Sequence, residues 1–113
     1  MVEDPVVAMD AVFHALAHGT RRDMLGRLAG GELTVGELAA PLTMSLAAAS
    51  KHVQVLERAG LVRRTVDGRR HVCRLDPAPL ASATAWLRFY EGHWTESLDN
   101  LEALLRAPEQ ENR

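Results

Sequence analysis

The sequence predicts a mainly α-helical fold with one small β-hairpin and a long closing helix. Three observations lead there. Thr34 to Gly60 reads as a short helix, a tight break and a longer helix. Asp67-Gly68 lies between two runs rich in β-branched residues. From about Ala78 onward, apolar residues recur at three- and four-residue steps, with Gly92 as the one breaker.

The chain has 113 residues, 47% of them apolar, which suits a single domain over 1–113 with a modest core. It opens with a helix over about 6–18, whose stripe is Val6, Met9, Val12, Phe13 and Leu16. Gly19 breaks that helix. Thr20 then offers a cap for a second one, in which Met24, Leu25 and Leu28 face inward and Gly30-Gly31 make the stop. His14 and His18 stand four apart, a spacing able to hold a metal. No third ligand lies nearby, and His18 also suits a helix C-terminus as a cation.

Next comes the helix pair, over about 34–59. Thr34 and Glu37 have the spacing of a capping box. Pro41 ends the first helix because its ring disfavours helical geometry at Ala40 and it has no N–H to donate. Ser45 caps the second helix, and Gly60 suits the left-handed position that closes it. Short helix, turn and longer helix form a helix-turn-helix. At about 100° per residue, Ala49, Val53 and Leu56 share one side of the second helix, with Leu46 and His52 at its edges. Ala47, Ser50, Lys51, Gln54 and Arg58 share the other, with no carboxylate near its centre. Such a face suits a major groove: small residues allow close approach, Ser and Gln bond base edges, and Lys and Arg meet phosphate or guanine. An ordinary solvated helix face is the plain alternative.

Charge distribution favours the groove. The net charge is −2. Residues 1–50 carry three basic and six acidic groups, residues 51–74 seven and two, and residues 75–113 three and seven. All excess positive charge thus falls in the second helix of the pair and the segment after it. A local patch is what a phosphate backbone feels within a Debye length.

That following segment, about 61–75, is read as a hairpin with strands near Leu61–Val66 and Arg69–Leu75 around Asp67-Gly68. Arg63, Arg64, Arg69 and Arg70 flank the turn. A basic hairpin after a helix-turn-helix is a wing, whose tip can follow the backbone or enter a minor groove. Charges on an exposed edge also discourage aggregation, which is the alternative. His71 and Cys73 alternate onto one strand face, as a metal or redox site would need; Leu75 shares that face, so the expectation for Cys73 is a small buried thiol.

Asp76-Pro77 opens the last helix, placed at about 78–106. Leu80, Ala83, Leu87, Tyr90, Trp94, Leu98, Leu101 and Leu105 make its stripe. At 1.5 Å per residue it runs roughly 40 Å, more than a small winged domain covers. The surplus calls for a partner, and the same helix of a second copy is the economical one. The predicted dimer interface is Leu87, Tyr90, Trp94, Leu98, Leu101 and Leu105, with the first helix assisting. In a second reading the aromatic residues Trp86, Phe89, Tyr90 and Trp94 line a small-molecule pocket.

Other classes find little support. The chain shows no nucleophile beside a base, no phosphate-binding glycine loop and no metal-hydrolase motif. It is not expected to be an enzyme or to carry a cofactor. There is no basic leader at its start and no apolar run of membrane-spanning length. One cysteine cannot form an internal disulfide, which points to a reducing cytoplasm.

These runs resemble a family. FHALAHGTRRDMLGRL is similar to the opening of the ArsR/SmtB winged-helix repressors, F-x-A-L-A-D-P-T-R-R-x-I-L. SLAAASKHVQVLERAGLV is similar to their recognition helix and exit, and VDGRRHVCRL follows at the spacing of their wing. The resemblance covers about residues 11–76. It implies a winged helix-turn-helix that dimerises through its last helix and represses transcription. Ser50, Lys51 and His52 match the family's S-[KR]-H.

The sequence also departs from the pattern. Leu46-Ala47 replaces Gln-Pro, and His18-Gly19 replaces Asp-Pro. The segment LTVGELAA lacks the cysteines of the arsenic and cadmium sensors, and the last helix has His93 as its one histidine, with Glu91, Glu96 and Asp99 nearby. No metal site is therefore assigned. The DNA-contacting set is Ser45, Ala47, Ser50, Lys51, His52, Gln54, Arg58, Arg63, Arg64, Arg69 and Arg70. The expected function is a homodimeric, sequence-specific repressor binding an inverted repeat of double-stranded DNA. Its alternatives are a sensor with a metal or small-molecule effector near the long helix, and a protein-interaction module.

Overall fold

Helix α4 (Leu46–Arg58) is the hub of the fold, because Ala49, Val53 and Leu56 are fully buried on its inner side. The computed structural model describes residues 5–111, with side chains over 8–106. The other elements are α1 (Pro5–Leu16), α2 (Gly19–Leu28), β1 (Leu33–Thr34), α3 (Val35–Ala39), β2 (Val62–Asp67), β3 (Arg70–Leu75) and α5 (Ala78–Glu111). The chain forms two compact units, one through Ala83 and one from Thr84.

In the first unit, Val12 and Ala15 of α1, Met24, Leu25 and Leu28 of α2, and Val35, Leu38 and Ala39 of α3 join the α4 residues in one core. The Val6 side chain lies outside the described residues. Helix α1 ends at Leu16, two residues earlier than expected, so His14 and His18 do not share a helix. His18, not Thr20, caps α2: its Nδ1 accepts the Thr20 backbone N–H at 3.3 Å. The helix therefore begins at Gly19, with the His18 ring accepting at its start.

The capping box at α3 is complete. Thr34 Oγ1 accepts from Glu37 N at 3.1 Å, and Glu37 Oε1 accepts from Thr34 N at 3.0 Å. These bonds hold the Glu37 carboxyl below its ordinary pKa. The α-helix stops at Ala39, as Pro41 requires, and a 3-10 turn over Ala40–Leu42 leads to Thr43 at φ 51°. Arg27 donates to the carbonyls of Leu38 and Glu37 at 2.8 and 2.6 Å, satisfying acceptors that the short helix leaves open. Ser45 Oγ accepts from Ala48 N at 3.1 Å and caps α4. At the other end Gly60, at φ 77°, allows Leu61 N to donate to Leu56 O and Gly60 N to Glu57 O.

The sheet has three strands in the order β1-β3-β2, all antiparallel. Strand β1 is not expected from the sequence; Leu33 pairs with Cys73 and Thr34 with Val72. The hairpin also turns one residue later than expected. Asp67 pairs with Arg70, so the two-residue loop is Gly68-Arg69. Gly68 has φ 61° and Arg69 has no positive φ, the II′ arrangement with glycine first. Cys73 is buried as expected, and burial raises its thiol pKa.

Pro77 precedes α5 rather than entering it, and Asp76 Oδ1 accepts from Ala78 N at 3.0 Å in front of the first turn. Ala83 is buried and Leu80 packs against the core. The second unit is the rest of α5, which runs unbroken through Gly92. Along it Leu87, Tyr90, Trp94, Leu98, Leu101 and Leu105 are all exposed. Tyr90 meets Trp86 and Phe89 edge-on, with ring centroids 4.9 and 5.2 Å away. Arg106 donates to Glu102 one turn earlier.

Candidate nucleic-acid interface

The surface of α4 opposite the core carries Ala47, Lys51, Gln54 and Arg58, all exposed, with Ser50 half-buried beside them. Thirteen residues give the helix roughly 20 Å of length, which fits a major groove. Its one carboxylate, Glu57, is turned toward the hairpin and held by Arg64, so the outward face has no negative charge at its centre.

A groove of about 670 Å³ separates this helix from the hairpin. Leu46, Ala47 and Ser50 line it from α4 and Arg69, Arg70 and His71 from the hairpin, with Thr34 and Val35 also in the lining. Helical periodicity puts Leu46 at the edge of the buried face, yet it is 62% exposed and lines the groove beside the hairpin.

The candidate arginines fall into separate roles. Arg69 and Arg70 are exposed at the hairpin end, one in the loop and one in its closing pair. Arg63 bonds Asp76 Oδ2 at 2.8 Å, but its side chain remains 70% exposed. That bond, with the Ala78 N–H, keeps the Asp76 carboxyl below its ordinary pKa. Arg64 is different. Its side chain is only 15% exposed, its Nε and Nη2 lie 3.1 and 2.5 Å from Glu57 Oε1, and its Nη1 lies 3.3 Å from His71 Nδ1. It fastens the hairpin to the end of α4. Ser45 points its hydroxyl oxygen at the helix it caps.

His52 lies at the opposite edge of α4, half-buried against α2. Arg21 Nη1 is 3.4 Å from its Nδ1, and the His18 ring lies beside it. Burial, then His18 and Arg21, lower the pKa of His52. Sequence reasoning does not single out Arg21. It is 9% exposed, and it also donates to Ala15 O at 2.7 Å and His14 O at 3.0 Å, joining the end of α1 to α4. A signal exists: Arg21 stands three, four and seven residues before Met24, Leu25 and Leu28, on their inward face.

Among the described residues, no three His, Cys, Asp or Glu side chains converge on one point, and no helix is long and apolar enough to cross a membrane.

A helix pair with an arginine-tipped hairpin beside its second helix defines a winged helix-turn-helix protein. A family profile described as a helix-turn-helix domain matches residues 16–65. The HTH-type transcriptional regulator Rv2034 of Mycobacterium tuberculosis is 43% identical over 96 residues, covering 85% of this chain and 87% of the relative. A crystal structure of an ArsR family transcriptional regulator, RHA00566, is 38% identical with a TM-score of 0.74, over 84% of this chain and 97% of that one. The homodimeric winged helix-turn-helix DNA-binding domain of Mb0332 from Mycobacterium bovis, solved by NMR, is 30% identical with a TM-score of 0.62, over 81% and 85% of the two chains. The chain belongs to the ArsR family of winged helix-turn-helix transcriptional regulators.

Proposed function

We propose that the chain is a homodimeric repressor in the cytoplasm that recognises an inverted-repeat operator, with α4 in the major groove and the hairpin on the flanking backbone. The observation that carries this is the pairing of a carboxylate-free outward face on α4 with Arg69 and Arg70 across one groove. Ser50, Lys51, Gln54 and Arg58 are assigned to bases and adjacent phosphates, and Arg63, Arg69 and Arg70 to the backbone. Arg64 and His52 hold the interface in shape through Glu57 and Arg21.

The dimer is assigned to α5. Its exposed Leu87, Tyr90, Trp94, Leu98, Leu101 and Leu105 recur on one helix face, and a stripe of that size is covered in a stable protein. A two-fold axis would set two α4 helices about 34–36 Å apart along the duplex, which is why the site is an inverted repeat. Homodimerism of the Mb0332 domain supports the assignment. Selection from a random duplex pool, followed by titration over salt concentration, tests the proposal. An enriched palindrome with steep salt dependence is expected; recovery no better than background overturns it.

A further inference from the structure

We infer that Leu46 is a specificity-determining residue that reads the 5-methyl group of thymine in the operator, an inference resting on the DNA-binding function proposed above. In the unit through Ala83, the exposed large hydrophobic side chains among the described residues are Leu46 and Val66. The other exposed residues of α4, Ala47, Lys51, Gln54 and Arg58, are small, polar or basic. Leu46 adds nothing to the core; it lines the groove that faces Arg69 and Arg70, where an apolar group arriving from outside would cover it.

Its position specifies that surface. Ser45 caps α4 through Ala48 N, which makes Leu46 the first helical residue. The N-terminal residues of a recognition helix are the ones that reach base edges. Ala47 beside it is small enough to let the backbone come close, and Arg69 and Arg70 across the groove suit the phosphates of a strand lying between helix and hairpin. In the major groove the one apolar group on a base edge is the thymine methyl; adenine, guanine and cytosine present hydrogen-bonding atoms. Leu46 therefore discriminates for thymine at a position that Ser50 and Gln54 leave unread.

The test compares thymine with uracil, which differs by that methyl alone. Starting from the duplex recovered by selection, each thymine in turn is replaced by deoxyuridine in both half-sites. At one position the wild type should lose about fourfold in affinity for each methyl removed, the transfer value of one buried carbon. Leu46→Ala should bind the thymine and uracil duplexes equally while melting at the wild-type temperature, since the side chain is exposed. A wild type indifferent to every replacement overturns the inference and leaves DNA binding standing. So does a thymine preference that Leu46→Ala retains. Failure of the wild type to bind any selected duplex overturns both the inference and the function on which it rests.

Discussion

His52 of α4 and His18, the cap of α2, lie with ring centroids 4.7 Å apart and planes tilted by 52°, and Arg21 stands 3.4 Å from His52 Nδ1. An arginine can only donate, so His52 Nδ1 accepts and the neutral ring carries its proton on Nε2. Protonating His52 would abolish that bond and place a cation against Arg21. Its pKa is accordingly lowered from 6.5, first by burial, then by His18 and Arg21. An unfolded chain takes up the proton below about 6.5 while the folded one resists it. Stability is therefore unaffected above that value, falls as pH drops below it, and reaches its full loss once pH is below the folded pKa. Melting scans from pH 8 to 5 should show a steeper acid decline for the wild type than for His52→Gln. Parallel curves would show that the ring is not strained by protonation.

Arg69 and Arg70 should act on affinity without discriminating between sequences. Replacing both by Ala should weaken binding to all duplexes alike and flatten the slope of log K against log salt by roughly one unit for each phosphate left unneutralised. Arg64→Ala should behave otherwise. It leaves Glu57 half-buried without its cation, so urea denaturation should register a loss of about 1–3 kcal/mol with the salt slope unchanged. The opposite pattern would exchange the roles given to these arginines.

Base readout by Gln54 and Ser50 is separable from both. Alanine at either should cost about 1–3 kcal/mol on the selected site and less on random duplex. Equal losses on the two substrates, measured by fluorescence anisotropy, would remove these residues from sequence recognition.

Assembly is tested on the far half of α5. Leu98 and Leu101 are 46% and 53% exposed, so changing both to Glu disturbs no core in the isolated chain. Sedimentation should then report monomers, and operator binding should be lost while the circular dichroism of the helix-turn-helix persists. A double mutant that stays dimeric would move the interface elsewhere.

Gly60 is held at φ 77°, and a Cβ there would sit 3.3 Å from Pro79 Cγ. Gly60→Ala should therefore destabilise by about 1–2 kcal/mol through the left-handed backbone alone, with more if Pro79 cannot yield. Equal stability in urea would mean that the α4 exit relaxes to another conformation.

The features legible in the sequence are those with a strong local period or a local chemical rule. The two faces of α4, the Thr34–Glu37 box, the Ser45 cap and the Gly60 exit each depend on residues within one or two turns. The hairpin is legible but its register is not, because Asp67-Gly68 does not say whether glycine is first or second in the loop. Strand β1 has two residues, too few for any alternation, and exists because β3 offers an open edge. By charge alone Arg21 and Arg64 read as surface groups; their partners, His52 at 31 positions away and Glu57 across the α4–β2 junction, are visible only in the fold. The exposure of Leu46 likewise depends on where the core ends, which helical periodicity along α4 does not report.

Thr34 holds two posts at once: its strand position pairs it with Val72 of β3, and its hydroxyl caps α3. The root of the wing and the start of the helix-turn-helix are therefore closed by one residue. Opening the sheet at β1 uncaps α3, and fraying α3 loosens the sheet. In native-state hydrogen exchange, amides of β3 and α3 should open together as one cooperative unit, with a common free energy of opening. A regulator built this way ties the first helix of its helix-turn-helix to one strand of its wing through a single side chain and its backbone.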